Sequence, residues 1–238
     1  MAPETMATTT DAALLRLFQL VSPALPVGAF SYSEGLEVLQ HQGRLGTAAE
    51  LQQWLEAELQ RGAVTLEAAA LAALGACIAR WRGGDTTAQT ALAELDAWLL
   101  AQREAAELRA QQRQMGQSLL QLLAEVTGPL LPLPVPAPVG LAWPAAFAWA
   151  GACLELGSPV LEQAYLYGWT ANQISAAVRL VPLGPTEGQR LQLALSPLIA
   201  QRAQELAQAH PRSLWSSGVG AGLVQLQHSE LYSRLFRS

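Results

Sequence analysis

Few side chains in this sequence can hold a metal or attack a substrate, and those few are scattered. The histidines are His41, His210 and His228. None lies near another, and none stands in the His-Glu-x-x-His or Cys-x-x-Cys spacing that gathers metal ligands. His228, two residues before Glu230, could contribute to a transient metal site, but the simpler expectation for it is a surface side chain. Cys77 and Cys153 lie in apolar helical runs, where a thiol packs as a small hydrophobe. No Gly-x-Ser-x-Gly elbow occurs. Gly218-Val-Gly-Ala-Gly222 has no strand before it and is expected as a flexible hinge, not a phosphate cradle. All 14 basic residues are arginine, which excludes a Schiff-base lysine and a GxxxxGK[ST] loop. The pattern points away from an enzyme, and no catalytic residue, cofactor or metal ligand is assigned.

Charge and composition narrow the classes further. Of 238 residues, 51% are hydrophobic and 14% charged, against roughly 25% charged in an average soluble protein. That balance excludes an intrinsically disordered chain and suggests more apolar surface than one monomer buries, hence a partner. The net charge of -5 argues against nucleic acid. Two cysteines exclude a disulfide-stapled scaffold, and the polar start Met1–Asp11 lacks a signal-peptide pattern, so a cytoplasmic location is expected. No charge occurs from Val126 to Leu154, but the prolines at 129, 132, 134, 136, 138 and 144 interrupt any membrane-spanning helix there. Residues 145–154 read as a buried helix.

The elements that must position these groups are helical. Ala, Leu, Gln and Glu dominate, and strand signals are poor. Asp11 caps a first helix that Pro23 and Pro26 end. Ser31 with Glu34, Thr47 with Glu50, and Thr186 with Gln189 each read as a capping box. Leu66, Leu71, Leu74 and Ile78 mark one helix. Leu92 starts a longer one that reaches about Val126 and breaks near Ala101. Ser158 and Pro159 read as N-cap and first helical residue, and Pro197 lies inside the last long helix. The expectation is one compact all-α domain of about eight to ten helices. Residues 1–10 would form a disordered segment, 11–222 the domain, and 223–238 a docking tail, with a stiff Pro-rich connector at 128–138.

Three segments are harder to assign to a core. Pro23–Glu37 packs two prolines, two glycines, Phe30 and Tyr32 into one interhelical turn. Tyr165–Gly184 carries small residues that allow close helix approach, with Arg179 among them. Tyr232-Ser-Arg-Leu-Phe-Arg-Ser238 ends the sequence with residue types enriched in binding hot spots. Together these segments resemble the UreF family of urease accessory proteins. PVGAFSYSEGLE over 26–37 resembles the family's N-terminal signature. Glu107-x-Arg109 with Met115-Gly116 is similar to its central helix. Leu166-Tyr-Gly-Trp169, Ser175–Gly184 and Gly188-Gln-Arg190 resemble its second-half signature, and 232–238 its terminus. Ala29 departs from a second glycine common there, and residues 222–231 depart from the family's run except at His228.

The resemblance implies a non-catalytic, all-α, dimeric nickel-insertion chaperone. It implies three partners: a UreD/UreH-type accessory protein, a UreG-type GTPase and the urease apoprotein, acting in GTP-dependent assembly of the nickel centre. By that resemblance Tyr232, Arg234, Leu235, Phe236 and Arg237 would contact the UreD-type partner, and Arg179, Tyr32 and Glu34 the dimer or GTPase-facing surface. An alternative is a GTPase-activating regulator that inserts Arg179 as a finger.

Overall fold

The computed structural model describes residues 11–127 and 140–238; the segment 1–10 and the connector 128–138 lie outside the described residues. Ten α-helices and three short 3-10 turns follow one another, with no strand among the described residues. The helices are α1 (Asp11–Leu20), α2 (Leu36–His41), α3 (Ala48–Arg61), α4 (Ala63–Arg82), α5 (Thr87–Ala101), α6 (Ala106–Thr127), α7 (Trp143–Cys153), α8 (Val160–Leu180), α9 (Pro185–Ala207) and α10 (Val219–Gln227). The chain is a single all-α domain.

α4 is the central element, and α3, α5, α7, α8 and α9 all pack on it. Its sequence is long and apolar enough to cross a membrane, but here Ala68, Leu71, Leu74 and Ile78 are buried against the other helices. α7, the run read as a buried helix, is buried along almost its whole length. Its Trp149 stacks at a tilt on Trp81 of α4, with ring centroids 5.6 Å apart. Gly116 of α6 permits the approach of α7, because a Cβ there would overlap the Leu141 carbonyl and the Ala142 backbone.

Local signals explain some boundaries and misplace others. Thr47 and Glu50 form the expected capping box: the Glu50 N–H donates to Thr47 Oγ1 at 3.3 Å and the Thr47 N–H to Glu50 Oε2 at 3.0 Å. The break near Ala101 is the junction of α5 and α6. Ser31 and Glu34 form no capping box. Ser31 ends a 3-10 turn, Gly35 precedes α2, and Glu34 turns inward to distant partners. Thr186 and Gln189 form none either, because Gly184 stands at the N-cap and Pro185 opens α9. Ser158 lies one residue before the N-cap, and its hydroxyl donates to Glu162 at 2.6 Å. Residues 218–222 are not a hinge: Gly218 precedes α10 and the rest are helical, so the expected boundary at 222/223 falls inside that helix.

Candidate functional site

The site begins with a backbone conformation. Glu34 and Gly35 have φ of 50° and 98°, the left-handed region that favours glycine. This turn aims the N–H groups of Ser33 and Glu34 at one acceptor, the Ser238 carbonyl oxygen, at 2.8 and 3.2 Å. The Ser33 hydroxyl donates to the same oxygen at 2.8 Å. Gly35 also lets α10 come close, since a Cβ there would lie 2.8 Å from Val224 Cγ2.

One carboxylate ties the tail to this turn. Glu37, on α2, accepts from the Leu235 N–H at 2.6 Å and the Phe236 N–H at 3.1 Å. Its Oε2 also lies 3.1 Å from His228 Nε2. His228 is therefore fully buried, not the surface side chain expected, because Glu37 gives its ring a polar partner inside the fold. The Arg237 N–H donates to Ser31 O at 2.9 Å, and the Ser238 hydroxyl to Gln111 Oε1 at 2.6 Å. Phe236 is only 4% exposed. The Arg179 guanidinium lies 4.4 Å from its ring centroid and donates to the Phe30 carbonyl at 2.7 Å. Stacking on the ring holds a guanidinium that stays exposed to solvent.

Behind the turn lies a cavity of about 530 Å³ between the 21–35 segment, α6, α8 and α9. Glu34 lines it, 8% exposed, and accepts from Gln111 Nε2 at 2.7 Å and Trp169 Nε1 at 3.1 Å. Tyr32 donates to Gln114 at 2.8 Å, and burial pushes its hydroxyl above the ordinary tyrosine range. Deeper in, Glu67 of α4 is ion-paired with Arg103 at 2.7 Å and accepts from Tyr165 at 2.8 Å. Burial raises the Glu67 carboxyl, with Arg103 opposing. Glu58 of α3 lies beneath Gly62 and Gly218, and burial pushes its carboxyl up to about 7 against the pull of Arg103. Among the described residues no group of three His, Cys, Asp or Glu side chains could hold a metal ion.

The outer surface beside the tail is apolar. Val219, Leu223 and Leu226 recur at i, i+4 and i+7 on α10 and face solvent, as one stripe of a helix does at that spacing. Tyr232 and Leu235 are exposed next to them in sequence, and so is Trp215.

Known proteins resemble this chain over nearly its whole length. A model of the UreF family matches residues 45–196. The urease accessory protein UreF of Nostoc sp. (strain PCC 7120 / SAG 25.82 / UTEX 2576) is 41% identical over 97% of this chain and 98% of its own length. This chain belongs to the UreF family. Two further UreF proteins agree: that of Thermosynechococcus vestitus is 43% identical over 96% of this chain and 99% of its own, and that of Alkalilimnicola ehrlichii 37% over 98% and 100%. These relatives are named as accessory proteins, not enzymes.

The residues singled out from the sequence of this UreF-family chain fall into two groups. Tyr32, Glu34, Arg179, Phe236 and Arg237 come together where turn, tail and α8 meet. Of these, Tyr32, Glu34 and Phe236 are buried in this chain, whereas Arg179 and Arg237 are exposed. Tyr232, Arg234 and Leu235 face solvent. Sequence reasoning missed Glu37, Gln111, Glu67 and Arg103. Glu67 carried a usable signal as the one acid in the apolar run of α4; Gln111 carried none.

Proposed function

We propose that this chain serves nickel insertion into urease as a homodimer. With a UreD/UreH-type partner it recruits the UreG-type GTPase and the urease apoprotein for GTP-dependent assembly of the nickel centre. Family membership supports the general role. The observation that carries the choice of docking surface is the solvent-facing stripe Val219, Leu223 and Leu226, with Tyr232 and Leu235 beside it. Tail and α10 then act as one surface, because Glu37 fixes the tail and His228 together. Anchors of this type each contribute about 2 kcal/mol or more at an interface.

Cutting the tail off is the wrong test, since Phe236 belongs to the chain's own core. The informative variants are Leu223→Asp and Tyr232→Ala in the full-length chain, assayed for capture of a UreD-type protein. Loss of roughly thirtyfold in affinity for either, with unchanged circular dichroism, is the expected result. Wild-type affinity in both would move the UreD-type interface elsewhere. An Arg179→Ala chain that assembles the complex but no longer stimulates GTP hydrolysis would favour the arginine-finger alternative.

A further inference from the structure

The cavity behind residues 28–35 has unmet hydrogen-bonding capacity of one kind. Gln112 Oε1, Gln173 Oε1 and both amide atoms of Gln192 are buried without a hydrogen-bond partner. The three glutamines sit on α6, α8 and α9, are each at least nine-tenths buried, and all line this cavity. Buried polar atoms are almost always partnered, so these atoms bond either ordered water or a guest that displaces it. Three of the four open atoms are carbonyl oxygens. The wall therefore asks for a guest rich in N–H groups.

Charge selects among such guests. Glu34 lines the same cavity, is buried, and makes no ion pair with any described basic residue. Its hydrogen bonds come from the neutral groups of Gln111 and Trp169. Arg103 is taken by Glu67, and Arg179, although on the wall, is turned to the Phe30 carbonyl and the Phe236 ring. Phe30 and Tyr167, which also line the cavity, are 71% and 40% exposed, so aromatic faces stand at its mouth. The nearest buried cation, Arg103, feels the Glu34 charge but bonds Glu67, so Glu34 has no cation bonded to it, and a planar cation with several donors satisfies carboxylate, carbonyls and aromatic faces together. We propose that this cavity binds a guanidinium group, paired with Glu34 and hydrogen-bonded by Gln112, Gln173 and Gln192.

The test uses the full-length ¹⁵N-labelled chain titrated with guanidinium chloride far below denaturing concentrations, against matched sodium chloride. The Trp169 indole N–H and the glutamine side-chain amides are expected to shift saturably with guanidinium and not with sodium. Glu34→Gln weakens that binding about tenfold or more, because a charge-assisted bond becomes a neutral one. Gln192→Leu, which removes an unpartnered buried amide and needs no refolding of the turn, also weakens it. N-acetyl-arginine amide binding as tightly as guanidinium would identify an arginine side chain as the guest; binding of guanidinium alone would identify a small free guanidine. The proposal is overturned by shifts that never saturate, by urea binding as tightly as guanidinium, or by a folded Gln192→Leu chain with wild-type binding.

Discussion

Around α4 and α7 the interior is dry: Leu51, Leu55, Leu74, Ile78 and Trp149 are under 2% exposed and touch apolar neighbours. Around residues 28–37 it is polar, with Glu34, Glu37, Glu67, Arg103 and Gln111 buried among hydrogen bonds that join distant parts of the chain. In the dry half any apolar residue of similar volume serves, so single positions are replaceable. In the polar half each side chain answers to a few named partners, and removing one leaves a buried polar group stranded. Two of the segments that carry the resemblance, 26–37 and 232–238, both belong to the polar half.

Among the buried polar contacts the Glu67–Arg103 pair should be the costliest to lose. Glu67→Leu alone should cost about 3–5 kcal/mol, because it leaves Arg103 buried without its counter-charge. Adding Arg103→Met should recover most of that loss in chemical denaturation. A double variant no more stable than the single one would show that the pair is not coupled.

A second test sharpens the contrast through pH. The Glu58 carboxyl is raised from its ordinary 4.5 to about 7 in the folded chain. Between those values the native state holds a proton that the unfolded state has released, so stability falls as pH rises through that window. The full penalty, about 3 kcal/mol as an upper bound, is present above pH 7. Glu58→Gln should therefore stabilise the chain at pH 8 and change it little at pH 4.5, measured by urea denaturation at both. Equal effects at the two pH values would contradict a proton-linked role. The smallest expected effect lies in local signals outside both interiors: Thr47→Ala should cost about 1 kcal/mol, the usual value of an N-cap. A loss beyond about 2 kcal/mol would mean that Thr47 does more than cap α3.

What was legible in the sequence follows the same division. Apolar spacing in α3, α4 and the α5–α6 run, and the Thr47–Glu50 box, are local patterns, and each reappears in the fold. The turn at 31–37 departs from expectation because Ser31 and Glu34 satisfy the local capping pattern while their real partners are far away. Gln111 is 77 residues from Glu34, and Leu235 is 198 from Glu37. His228 reads as a surface side chain for the same reason, since nothing within a few residues of it forecasts Glu37. The resemblance draws attention to segments that meet in the fold, but not to the bonds that join them.

The reach of the Glu37 carboxylate has a consequence in time. A ribosome delivers residues 33–37 long before 235–238, and the bonds between them span about two hundred residues. Until the late segment emerges, the Ser33 and Glu34 N–H groups and one face of Glu37 have only water to bond. The helices of the dry half can pack while synthesis continues, but this turn closes only after synthesis has passed residue 238. The joint between turn and tail is thus the last part of the molecule to mature, and a chain interrupted near residue 230 would carry a helical core with that joint unmade.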